Sequence, residues 1–173
     1  MVDFIEIYVD SGKLIIHTDY RLLSEEGQQV RIPFHDGIQA VTSAGASRIT
    51  SADTLQANNL NITIAGVSSL ALALQTDNIS LTMAGTGSAQ LQGKAASLQV
   101  VMSGAGAIDT QNLAAQKVTV ELSGAGKAEV YARDTLQASV SGMGKIIYFG
   151  DPVVIKSEVS GLGSVQKAGT PDK

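Results

Sequence analysis

The sequence predicts an all-β protein: a single-stranded right-handed parallel β-helix of about seven coils, with an amino-terminal β cap. A recurring glycine corner, a period-two alternation before each corner, and the lack of any helical pattern predict it. The corners are Ser103-Gly104-Ala105-Gly106, Ser123-Gly124-Ala125-Gly126, Ser141-Gly142-Met143-Gly144 and Ser160-Gly161-Leu162-Gly163. Looser copies precede them at Ala84-Gly85-Thr86-Gly87, Ala65-Gly66-Val67-Ser68 and Ala44-Gly45-Ala46-Ser47. Their first glycines lie 21, 19, 19, 20, 18 and 19 residues apart. A near-constant period of this length marks a stacked repeat, in which each unit buries its apolar face only against its neighbours.

Each corner is preceded by a strand signal. Leu60, Ile62 and Ile64 precede Gly66; Ile79, Leu81 and Met83 precede Gly85; Leu98, Val100 and Met102 precede Gly104. Val118, Val120 and Leu122 lead to Gly124, and Leu136, Ala138 and Val140 to Gly142. Polar residues fill the alternate positions, so one face of each strand is expected inside and the other in water. A second short apolar segment follows each corner, as at Ile108, Val130, and Ile146 with Tyr148. Turn-forming residues then close the coil, for example Asp109-Thr110-Gln111-Asn112 and Gly150-Asp151-Pro152. With strands roughly 4.8 Å apart, seven coils make a rod about 30 Å long. Gly45, Gly66, Gly85, Gly104, Gly124, Gly142 and Gly161 are read as structural corners, where stacked backbones approach closely.

Residues 1–37 are read as strands capping the solenoid, 38–166 as the coils and 167–173 as a polar tail, one domain overall. Phe4-Ile5-Glu6-Ile7-Tyr8-Val9 and Lys13-Leu14-Ile15-Ile16-His17 flank Asp10-Ser11-Gly12 and predict a β-hairpin. A further strand is expected over 30–34. A cap is needed because an open solenoid end exposes unpaired strand edges.

Composition narrows the function classes. The 173 residues are 44% hydrophobic and 16% charged with a net charge of −4, which is not the composition of a disordered chain. No basic block offers a footprint for nucleic acid or an anionic membrane. Cysteine is absent, which excludes disulfides and thiolate metal sites. No apolar run is long enough to span a bilayer as a helix, and the first residues, Met1-Val2-Asp3-Phe4, do not read as a signal peptide.

The corners at Gly104, Gly124, Gly142 and Gly161, with Tyr148-Phe149-Gly150-Asp151-Pro152-Val153, resemble the head GIN domain of putative auto-transporter adhesins. Ile32-Pro33 and Asp36-Gly37-Ile38 resemble that family's lead-in to the first coil. The resemblance implies a right-handed β-helix in a bacterial secreted or envelope protein, placed in the periplasm, outer membrane or outside the cell. It carries over no catalytic or ligand residues. The first corners depart from the pattern, lacking Ser before the glycine and Gly after it.

No catalytic, metal or cofactor site is expected. The glycines match neither a P-loop nor a dinucleotide-binding fingerprint, and they feed strands rather than helices. Pectinase-like enzymes on this architecture need carboxylates clustered on adjacent coils. Asp53, Asp77, Asp109, Asp134 and Asp151 do not share one offset from the corners. Asp134 and Asp151, near Arg133, are the best enzymatic candidates and read more simply as solvated loop acids. His17 and His35 fall in the cap without catalytic neighbours. Glu121, Glu158, Lys127 and Lys145 are expected to form weak cross-coil ion pairs.

The candidate binding surface is an outward sheet face. Positions three before each corner glycine give Thr42, Thr63, Thr82, Val101, Glu121, Ser139 and Glu158; positions five before give Asn61, Ser80, Gln99, Thr119, Gln137 and Lys156. Thr63, Thr82, Thr119, Asn61, Ser80 and Gln99 are its expected ligand-binding residues. Tyr131, Tyr148 and Phe149 are the aromatics placed to stack on a sugar, with Tyr148 favoured as core. The expected function is a non-enzymatic surface-binding scaffold for a glycan or a surface protein. The alternatives are a polysaccharide lyase or hydrolase, and a structural subunit that forms homo-oligomers.

Overall fold

The computed structural model describes residues 5–10, 13–18, 30–33 and 37–168. The chain divides into two compact units, Met1–Phe34 and His35–Lys173. In the first, β1 (Ile5–Asp10) pairs antiparallel with β2 (Lys13–Thr18), the expected hairpin, with Ile7 opposite Ile16 and Val9 opposite Leu14. The strand expected over 30–34 is not formed: residues 30–33 have no regular secondary structure, and 34 lies outside the described residues. Pro33 lacks the backbone donor that a ladder needs.

The second unit is a parallel β-solenoid. Its elements are β3 (Ala40–Gly85), β4 (Ser88–Gly104), β5 (Ala107–Gly124), β6 (Lys127–Gly142), β7 (Lys145–Phe149), β8 (Val154–Gly161) and β9 (Ser164–Lys167). β3 pairs β4, β4 pairs β5 and β5 pairs β6, all parallel; β6 then pairs β7 and β8, and β7 pairs β9. Lys167, expected to open the tail, is the last residue of β9, and 169–173 lie outside the described residues. Among the described residues no helix is long and apolar enough to cross a membrane.

The stack makes about five turns rather than seven. All seven corner glycines are present with positive φ, but corners bound turns and so outnumber them. In addition, the chain over 40–59 follows the corner spacing while burying only Ser43. From Leu60 onward the period-two alternation holds as expected. Leu60, Ile79, Leu98, Val118 and Leu136 form one buried column, and Ile64, Met83, Met102, Leu122 and Val140 another. Ladder registers stack Leu98 on Ile79 and Val118 on Leu98, so each column is a row of side chains in direct succession.

The two glycines of the later corners are needed for different reasons. A Cβ on Gly85, whose φ is +127°, would lie 2.6 Å from the Gly66 carbonyl oxygen of the preceding coil. That carbonyl accepts a hydrogen bond from the Thr86 N–H at 3.0 Å, and the Gly85 carbonyl accepts from Ala105 at 3.1 Å. The first glycine therefore permits both the left-handed turn and the close stacking of corner on corner. The second has no such φ. A Cβ on Gly144 would instead collide with Leu122 Cδ2, and one on Gly126 with Met102 Sδ. Here the large side chain at the last inward position of the preceding coil fills the space.

That trade explains the departures in the first corners. Ser43 occupies the last inward position before Gly45, where later coils carry Met83, Met102 or Leu122. A small residue there leaves room for Ser68 in the next corner, and the two hydroxyls hydrogen-bond at 2.8 Å. Ser47 joins them, 2.5 Å from Ser43 Oγ, and Ser68 donates to the Gly45 carbonyl at 3.1 Å.

Candidate functional site

The fixed register turns the two outward rows into columns. Ser80 pairs with Gln99, Gln99 with Thr119, Thr119 with Gln137, and Gln137 with Lys156. Beside them Thr82 pairs with Val101, Val101 with Glu121, Glu121 with Ser139, and Ser139 with Glu158. The inward neighbours of these positions are at most 2% exposed from Leu60 to Val140, so the outward side chains are held on a rigid support. Asn61, Thr63, Thr82 and Gln99 are exposed, while Ser80 and Thr119 are half-buried between their neighbours. Successive rungs are roughly 4.8 Å apart, so hydroxyl and amide groups alternate at that interval from Ser80 to Gln137 in the first column, whereas the second passes through Val101 and Glu121.

Two members of this surface were not singled out in the sequence. Asn78 Nδ2 donates to Asn59 Oδ1 at 2.9 Å, an exposed amide pair at the edge of the outward rows. Both asparagines lie seven residues before a corner glycine, which is the signal that locates them. The aromatic candidates do not stand out from the surface: Tyr131, Tyr148 and Phe149 are all half-buried, and Tyr148 packs against the core.

The carboxylates do not converge. Among the described residues no group of three or more His, Asp or Glu side chains lies close enough to hold a metal ion. Asp53, Asp77 and Asp134 are exposed, and Asp109 accepts from the Gln111 backbone N–H at 3.2 Å. Asp151 bonds Lys167 rather than meeting Asp134. That hydrogen bond first, and the carboxylate's charge second, hold the Lys167 ammonium above its usual range. Lys127 pairs with Glu129 of its own strand at 2.9 Å instead of with a neighbouring coil. The alternation puts residues two apart on one face, so a partner in the same strand is within reach. His17 lies in β2 opposite Glu6, and His35 is outside the described residues. Two open grooves among the described residues, about 580 and 350 Å³, lie along the first corners and the strands that follow them; Arg48, Ser69 and Ser88 line both, with Val67 in the first and Ile49 and Leu70 in the second. Arg48 Nε donates to Ser69 Oγ at 3.3 Å.

The family model for "putative auto-transporter adhesin, head GIN domain" matches residues 1–152. The chain belongs to this family. Solved structures share the fold of this chain at low identity. A "putative adhesin" from Bacteroides fragilis superposes with a TM-score of 0.78 at 22% identity, covering 95% of this chain and 76% of the other. A "putative adhesin" from Parabacteroides distasonis gives 0.71 at 22% identity, with 95% and 78% covered. A "putative lipid binding protein" from the same species gives 0.65 at 20% identity, with 94% and 79% covered. No curated protein matches the chain.

Proposed function

We propose that this head GIN domain is a non-enzymatic binding module of the bacterial cell envelope or secreted fraction. Its outward sheet face, centred on Asn61, Thr63, Ser80, Thr82, Gln99 and Thr119, meets a glycan or the surface of a partner protein. The observation that carries this reading is the continuous column Ser80, Gln99, Thr119 and Gln137, which alternates hydroxyl and amide groups on a packed support. Each group offers both donors and acceptors, or can switch between them, which suits a ligand rich in hydroxyls. Two rungs span about 9.6 Å, on the scale of one disaccharide unit, so a repeating polysaccharide meets a hydroxyl at Ser80 and again at Thr119, and an amide at Gln99 and again at Gln137. The family's description and its adhesin-like structural neighbours support the same class of function.

A glycan array probed with the whole chain, with and without calcium and assayed for released product, tests the proposal. Binding without turnover is expected. It should weaken about a hundredfold when Thr63, Thr82 and Thr119 are all replaced by Arg, given about 1 kcal/mol for each lost hydrogen bond. Released oligosaccharide would overturn the non-enzymatic reading. Binding that survives the triple substitution would move the site off this face.

A further inference from the structure

The two ends of the solenoid are finished differently. At the amino-terminal end, inward positions carry Ser43 and Ser51, whose hydroxyls bond Ser68 and the Ala73 N–H. At the carboxy-terminal end, β8 continues the inward columns with Ile155 on Leu136, Ser157 on Ala138 and Val159 on Val140. Those partners are at most 1% exposed, whereas Ile155 and Val159 are each 47% exposed. Among the described residues β8 pairs with β6 alone, so its other edge has no ladder.

An edge guarded against pairing carries charge at inward positions, or a proline within the strand. β8 has neither. Its two charges are outward and of opposite sign, Lys156 and Glu158, set symmetrically about Ser157. Ile155 and Val159 are symmetric about the same residue. We propose that this edge is a self-pairing surface, on which β8 of a second copy of this chain adds antiparallel about a two-fold axis at Ser157. In that register Lys156 faces Glu158 of the second copy and Glu158 faces its Lys156, while Ile155 and Val159 face each other twice. Directly opposed residues of an antiparallel pair share a face, so both charge pairs lie outward and both apolar pairs extend the core. The arrangement is isologous and closes at two copies.

A head-to-tail stack is the other geometry the solenoid allows, and it fits poorly. With corner on corner, Gly161 would meet Gly45 of the next copy. Lys156 and Glu158 would then face Ala40 and Thr42, and Ile155 and Val159 would face Gln39 and Ser43. Neither charge finds a partner, and both apolar residues meet polar ones. The two-fold joint also carries the outward columns of both copies onto one continuous sheet, which lengthens the face available to a repeating ligand.

Sedimentation equilibrium of the whole chain at low salt, from about 10 µM to about 1 mM, tests this; the range suits a small, weak interface. The wild type is expected to equilibrate between monomer and dimer. Lys156→Glu and Glu158→Lys each place like charges opposite one another and should weaken the dimer about tenfold. The double reversal restores both attractions and should return affinity to within about threefold of the wild type. Both sites are exposed, and circular dichroism confirms that each variant is folded. A wild type that stays monomeric, single reversals without effect, a double variant no better than the singles, or assemblies larger than two would each overturn the proposal.

Discussion

The first turn, over 40–59, and the turns over 60–142 obey the same corner spacing but are built to different standards. In the later turns every second residue of the pre-corner strand is buried, and large side chains occupy the last inward position. In the first turn that position is Ser43, and only Val41, Ile49, Leu55 and Ala57 pack partially against the core. A repeat can therefore hold its period through corner glycines alone, while its stability depends on the inward columns. The terminal repeat of a solenoid must face something other than another repeat, and here hydroxyls bond backbone groups: Ser68 donates to the Gly45 carbonyl and Ser51 accepts from the Ala73 N–H.

The corner glycines should show this contrast most strongly. Gly85→Ala places a Cβ 2.6 Å from backbone and forces a left-handed residue, so a loss of more than about 3 kcal/mol in urea unfolding is expected. Gly45→Ala has the same sign of φ but meets nothing within 4 Å; strain alone should cost about 1 kcal/mol. Equal losses would mean that stacking contributes nothing to the need for glycine.

Core truncations come next. Leu98→Ala, in a column 1% exposed, should cost about 3 kcal/mol. Leu55→Ala in the half-buried first turn should cost about 1 kcal/mol. A smaller effect is expected for the second corner glycine. Gly144→Ala crowds Leu122, and a double-mutant cycle with Leu122→Ala should recover about 1 kcal/mol relative to additivity. No coupling would dissociate the glycine from the side chain before it. The smallest effect belongs to the Asp151–Lys167 pair. Because the folded state raises the lysine pKa, its contribution is complete below the usual lysine value of about 10.4 and is lost as pH rises through the raised one. Lys167→Met should remove a small stabilisation seen at neutral pH and leave none to lose at high pH.

Much of this architecture was legible in the sequence because a solenoid repeats one local rule. The alternation before Gly104 and Gly124 fixes which residues point inward, and the common offset from the glycine fixes which outward residues stack. Thr82, Gln99 and Thr119 could therefore be placed on one face without coordinates. What depended on the ends was harder to read. Seven glycines suggested seven coils because spacing does not reveal that 40–59 buries so little. The apolar, β-branched character around Val30 and Ile32 suggested a strand, and no repeat was present to contradict it. Lys127 chose Glu129 because ion-pair partners are set by side-chain reach on one strand as readily as by stacking.

The proposed binding face rests on a rigid register of the outward columns across residues 60–142. Native-state hydrogen exchange tests that register most directly. The amides of Val100, Val120 and Ala138 are expected to exchange only through global unfolding, and those over 44–56 at least about a hundredfold faster. Equal protection across 40–142, or exchange at Val100 and Val120 as fast as in the first turn, would contradict it.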